Sequence, residues 1–198
     1  MGEIRSAIDI ALEKTAHIEG DPKSADNRDL KNSGKKAAGD FLSQGKPELL
    51  AAALEGKDAD ARGLIIEGMV SIFLAALHLP AAEPDLKKTA RIGEGLEAAL
   101  PGKGLAQLFG QVGQILGQYL TETDQLTKAL EQQFAPRLRA KQQEMERRYG
   151  KSVPMDIHQD PEFASALSKN RRMLEDKYEA VIDEVRARVR EIAGIAEA

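Results

Sequence analysis

The 198 residues contain no cysteine and no tryptophan, and only three histidines. Without cysteine there are no disulfides, no thiolate metal ligands and no cysteine nucleophile. Phe, Trp and Tyr together make up 4% of the chain, so a core must be built from Leu, Ile, Val and Ala. Neither sign of charge dominates. There are 28 Lys and Arg against 32 Asp and Glu, a net charge of −4, which does not suit a general nucleic-acid binder. The most apolar run, Leu64 to Leu79, carries Glu67 and is shorter than the roughly 20 residues a membrane-spanning helix needs. The opening MGEIRSAIDIALEKT has early acids and no continuous apolar stretch, unlike a secretory signal. A cytoplasmic protein is expected.

No segment alternates apolar and polar residues with β-branched enrichment, as strands require. Helical spacing recurs instead, and the expected fold is all-α, with six or seven helices. Ile4, Ile8, Ala11, Leu12, Thr15 and Ile18 line one face of a helix over Glu3 to Ile18. The turn residues of Glu19 to Arg28 predict a loop, after which Asp26 or Asn27 caps a second helix. Its row is Leu30, Gly34, Ala37, Ala38, Phe41 and Leu42, and Gly45 is its stop. A short alanine-rich helix over Pro47 to Leu54 ends at Gly56. Asp58 or Asp60 caps Leu64–Leu79, which is apolar all round and is the expected central helix. Asp85 to Leu100 is amphipathic through Leu86, Ile92, Leu96 and Leu100, and Pro101 to Gly104 forms a turn.

The carboxy-terminal half organises the chain. From Leu105 to Tyr149 and again from Pro161 to Ala193, the pattern predicts the two arms of one long antiparallel helical hairpin. On the first arm Leu105, Leu108, Phe109, Val112, Ile115, Leu116, Tyr119 and Leu120 share a broad face. Gln107, Gln111, Gln114 and Gln118 lie opposite, and Gly110, Gly113 and Gly117 fall between. Each glycine costs about 1 kcal/mol against alanine inside a helix. The stripe therefore implies either close approach of a neighbouring helix backbone or a surface kept clear for a partner or ligand. Leu116, Tyr119, Thr123, Leu126 and Leu130 continue at coiled-coil spacing. Pro136 predicts a kink or break near Phe134 to Ala135. Gly150 to Gln159 is the connection. Asp160-Pro161-Glu162 supplies a cap, a first-turn proline and a first-turn acid for the return arm. Phe163, Leu167, Leu174, Tyr178, Val181, Val185, Val189 and Ile192 form its apolar row. The organisation expected is a helical bundle over residues 1–104 joined to a hairpin over 105–198.

The stretch EIRSAIDIALEKT resembles the opening of a family of small uncharacterised bacterial α-helical proteins. That resemblance implies a helical fold and carries no activity, cofactor or site residue.

Chemistry-bearing residues are sparse. His17 lies near the end of the first helix, where a cation suits the helix dipole, and His78 ends the apolar run as a satisfied core or cap histidine. Asp156, His158 and Asp160 alternate in a loop and could face one divalent ion, but Asp160 is already wanted as a helix cap and Asp156 as a turn residue. Glu67 is the best candidate for a perturbed carboxylate, with Arg62 or Arg91 as ion-pair partners. Gly34-Lys35-Lys36 and Gly102-Lys103-Gly104 lack the phosphate-loop pattern. No Glu-x-x-His pair supports a di-metal bundle. The reading is of a protein that is not an enzyme and takes no cofactor.

Arg137, Arg139, Lys141, Arg147, Arg148 and Lys151 crowd the outgoing arm, and Lys169, Arg171 and Arg172 are expected across from them. This cluster suits contact with RNA, an acidic protein or a membrane surface. It equally suits a solvated face of helix-stabilising pairs, and the interspersed Glu144, Glu146, Asp156, Asp160 and Glu162 weigh towards that. The expected function is non-enzymatic protein–protein interaction or scaffolding through the hairpin, with self-association as a homodimer through the seam of Leu126, Leu130, Val181 and Val185. The alternative is an RNA- or ribosome-binding factor that uses the basic tip.

Overall fold

A computed structural model describes residues 22–150 and 155–195. The helix expected over Glu3 to Ile18, with His17, and Lys151 in the connection lie outside the described residues. The described residues form six α-helices and one 3-10 turn, with no strand among them. They are α1 (Pro22–Gln44), α2 (Glu48–Leu54), α3 (Ala59–Ala76), α4 (Asp85–Ala99), α5 (Leu105–Tyr149), the 3-10 turn Ile157–Gln159, and α6 (Pro161–Ala193). The all-α expectation holds. None of these helices is long and apolar enough to cross a membrane.

Contacts divide the chain into two compact units, and the division falls inside α3, between Ile72 and Phe73. In the first unit α1 buries Gly34, Ala37, Ala38 and Phe41, the face its spacing predicts. The helix begins at Pro22 and not after Arg28, because proline is well suited to a first turn and the polar residues behind it can remain helical on the solvent side. It stops at Gly45, whose φ of +71° is accessible to glycine and whose N–H reaches the Phe41 carbonyl at 2.7 Å. Asp58 caps α3 by accepting the Ala61 N–H at 2.8 Å. Gly34 and Gly68 mark the crossing of α1 and α3. A Cβ on Gly34 would collide with the Ile65 carbonyl, and one on Gly68 with the Lys31 carbonyl.

The second unit holds the end of α3 with α4, α5 and α6. The apolar run is not buried all round: Ser71 and Ala75 are exposed, and the helix ends at Ala76. Its terminal carbonyls are taken by Arg186 of α6, which donates from Nη2 to Leu77 O at 2.6 Å and from Nε to Leu74 O at 3.3 Å. Those bonds satisfy orphan acceptors that would otherwise need water. Helix α4 lies on α5, where Gly93 leaves room for the Phe109 side chain. Glu97 of α4 accepts N–H groups of Gly102 at 2.8 Å, Leu105 at 2.6 Å and Ala106 at 3.3 Å, so it caps α5 from outside.

Helices α5 and α6 form the hairpin. Tyr119 packs edge-on to Tyr178, with ring centres 5.2 Å apart, and Phe134 packs edge-on to Phe163 at 5.7 Å. Tyr119 and Phe134 are fifteen residues apart, as are Phe163 and Tyr178, so the two contacts fix one antiparallel register. Leu130, Ile182, Val185 and Val189 are buried within it. Of the kink or break expected near Phe134 to Ala135, the break does not occur, since α5 runs continuously from Leu105 to Tyr149 with Pro136 inside it. Pro136 and Gln132, whose carbonyl loses its helical donor, are both exposed, so water can serve that oxygen.

Candidate interaction surface of the hairpin

The register decides the shape of the hairpin end. Helix α6 starts at Pro161, close to the level of Pro136, so α5 continues beyond the return arm for about a dozen residues, roughly 20 Å. Residues 155–160 occupy part of that gap. Its 3-10 turn is opened by Asp156, which accepts the His158 backbone N–H at 3.0 Å. Asp160 then caps α6 by accepting the N–H groups of Glu162 at 2.9 Å and Phe163 at 3.2 Å. Those bonds, the Phe163 N–H foremost, hold the Asp160 carboxyl below the usual carboxylate range, with help from Lys141.

Leu138, Gln142 and Met145 form the inner side of the overhang and are half-buried, with the Gln142 amide donating to Met155 O at 3.4 Å. From Glu131 to Gly150 no residue is buried. Tyr149, the last residue of α5, is 66% exposed.

The basic residues separate into two groups. Arg137 pairs with Glu162 at 3.3 Å, Lys141 with Asp160 at 3.2 Å and Arg148 with Glu144 at 2.6 Å. Arg139 and Arg147 make no ion pair among the described residues. They lie on the opposite flank, two turns apart with Gln143 between. Lys169, Arg171 and Arg172 are not across from this cluster as expected. The register sets them level with residues 125–128, about 14 Å or more from Arg137 along the hairpin. The expectation failed because residues 155–160 lie beside α5 before α6 begins.

Asp156, His158 and Asp160 do not converge. The two carboxylates cap backbone, while the His158 ring lies edge-on to Phe163 at 5.3 Å with Nε2 3.5 Å from Glu131. Among the described residues no three His, Cys, Asp or Glu side chains could hold a metal ion together. His78 is exposed beyond the end of α3 and neither joins the core nor caps the helix. Glu67 is not deeply buried, and its partner is Lys31 at 2.5 Å, in place of Arg62 or Arg91. Helix crossing, invisible in linear spacing, brings Lys31 to it.

Among the described residues the glycine stripe makes no close helix contact. Cβ atoms on Gly110 and Gly113 would meet nothing within 4 Å among the described residues, and one on Gly117 would touch only Leu86 at 3.7 Å. The apolar seam is turned inward. Leu130 and Val185 are buried, Leu126 and Val181 half-buried, and Tyr149 and Met173 are the exposed large hydrophobic residues of the described chain. The exposure of Tyr149 could not be read from spacing, since it depends on how far α5 outruns its neighbour.

Comparison with known proteins gives one kind of match. A family model described as a family of unknown function (DUF6657) matches residues 51–191, which takes in the whole hairpin core and leaves out the amino-terminal stretch. No curated protein and no solved structure matches.

Proposed function

This chain belongs to DUF6657, a family of unknown function, and we propose that it is a non-enzymatic interaction or scaffolding protein of the cytoplasm whose contact element is the overhanging end of the hairpin. The observation that carries this reading is the run from Glu131 to Gly150, a regular helix in which no side chain is buried. Helix formation in proteins draws mostly on packing of one face, and here little of that packing is present. A helix so exposed, with Arg139 and Arg147 without an ion pair among the described residues, is suited to being read by another molecule. The buried seam between the two arms is filled by aliphatic and aromatic side chains, which suit packing and not acid–base chemistry.

Contact with RNA is the second reading. It is favoured by Tyr149, which is open to solvent beside Arg147 and Arg148, since a free ring can stack on a base and guanidinium groups can meet phosphate.

A photo-crosslinking residue placed at the exposed position Gln143, between Arg139 and Arg147, tests both in cell extract. A discrete protein adduct that survives nuclease, and that weakens when Arg139 and Arg147 become Glu, is the expected result. An adduct removed by nuclease would transfer the proposal to RNA. The absence of any adduct above that of a probe on the stem, at Gln118, would end both readings.

A further inference from the structure

A groove of about 650 Å³ runs along one flank of α6, away from the hairpin end. It begins beside His158 and Phe163 and extends to Glu179, about 24 Å of helix. Its charges are ordered. Arg171 and Arg172 come first, then Glu175, Asp176 and Glu179. Arg171 and Glu175, and likewise Arg172 and Asp176, stand four residues apart, the spacing at which helical ion pairs form. None of these side chains makes an ion pair among the described residues, whereas Arg186 and Arg188 in the same helix each hold an acid three residues away. Among the described residues the flank therefore presents two cations and then three carboxylates without ion-pair partners.

We propose that this flank is a self-complementary contact through which two copies of the chain pair with their α6 helices antiparallel. Ser168, Arg172, Glu175 and Glu179 follow steps of four, three and four, the spacing of a seam between two helices. With a two-fold axis level with residues 173 and 174, Arg172 meets Glu175 of the partner subunit, and symmetry repeats the pair. Arg171 and Asp176 of the partner subunit then share a level, and Ser168 stands opposite Glu179 of the partner subunit. Parallel pairing would instead set arginine against arginine and carboxylate against carboxylate, so the charge order selects one orientation. The seam is polar and exposed ion pairs are individually weak, so the association is transient and is screened by salt. The inference rests on the hairpin being a contact element, but it uses a surface separate from the overhang.

The test is the solution mass of the full chain by analytical ultracentrifugation over rising concentration at low ionic strength. Wild type rises from the 21.5 kDa monomer towards a dimer and returns to monomer in about 0.5 M NaCl, where the Debye length is only a few ångströms. The variants R171E/R172E and E175R/D176R each stay monomeric alone, because the charges that meet at 172 and 175, and those that share a level at 171 and 176, have become alike. Mixed in equal amounts they form a dimer again, since at these four positions one flank is then acidic and the other basic. A wild type that stays monomeric throughout, a dimer that either variant leaves intact, or a mixture that fails to associate would overturn the proposal. Crosslinking from Gln143 does not depend on these positions, so loss of self-pairing leaves the reading of the overhang standing.

Discussion

The ring of Tyr178 stands edge-on to that of Tyr119, with centres 5.2 Å apart and planes at 61°, and this pair sets the middle of the hairpin. Both rings are nearly inaccessible. Burial pushes the Tyr178 hydroxyl above the ordinary tyrosine range, and a hydrogen bond to Glu122 adds to the shift. Glu122 also pairs with Lys177 at 3.3 Å. Tyr178→Ala removes a buried aromatic side chain and leaves a cavity, with an expected loss of about 3–5 kcal/mol. Tyr178→Phe keeps the ring and loses only the bond to Glu122, costing about 1 kcal/mol. Urea denaturation of the two variants checks the ratio, and equal losses would mean that the hydroxyl, and not the ring packing, holds the pair.

Two sets of glycines respond in opposite directions. Gly34→Ala or Gly68→Ala drives a methyl into a carbonyl of the crossing helix. Backbone cannot yield as a side chain tip can, so each should cost about 1–3 kcal/mol or more. Gly110→Ala and Gly113→Ala meet open space and remove a helix-breaking residue, so each should stabilise by about 0.5–1 kcal/mol. Thermal unfolding of the four single variants separates the groups. Destabilisation by Gly110→Ala would mean that something does pack on that stripe.

These contrasts show what the sequence could carry. The buried face of α1 was legible from Leu30 to Leu42, because one helix packed on one side repeats its burial every 3.6 residues. The caps at Asp58 and Asp160 were legible because a capping bond is made within three residues. The hairpin was legible as two matched rows, but its register was not. A connection can fold back beside an arm at no cost that spacing records, and the placement of Lys169, Arg171 and Arg172 followed that register. The glycines misled for a related reason. Gly34 lies in a row of small and apolar residues and Gly110 in a cleaner stripe, yet among the described residues only the first touches another backbone, since contact depends on the crossing point of two helices. Arg186, which closes the end of α3 from 109 residues away, left no local signal.

Pro136 offers a test of how the long arm tolerates its missing donor. Pro136→Ala restores a helical N–H for the Gln132 carbonyl and removes the ring clash with the preceding turn. Both residues face solvent, so nothing packed is disturbed, and the helix should become more stable. Hydrogen exchange of amides between Arg137 and Lys141 should slow in the variant. Unchanged or faster exchange would mean that the proline is an adapted bend that the hairpin end requires.

The Glu97 carboxylate accepts N–H groups at the start of α5, and these bonds, from Gly102 first and then Ala106, lower its proton affinity below the ordinary glutamate range. A carboxyl whose folded pKa is depressed contributes stability that is complete above its unfolded value, about 4.3. That contribution is lost as pH falls through the lower folded value. Glu97→Gln keeps the size of the side chain but offers a neutral acceptor to the positive end of the helix dipole. The variant should therefore melt below wild type at pH 7, and the two should converge as pH drops through the glutamate range towards 3. Melting curves at half-unit intervals from pH 3 to 7 follow this difference. A gap that stays constant across the range would show that Glu97 acts through its shape and not its charge, and the cap would then have to be explained by packing of α4 on α5 alone.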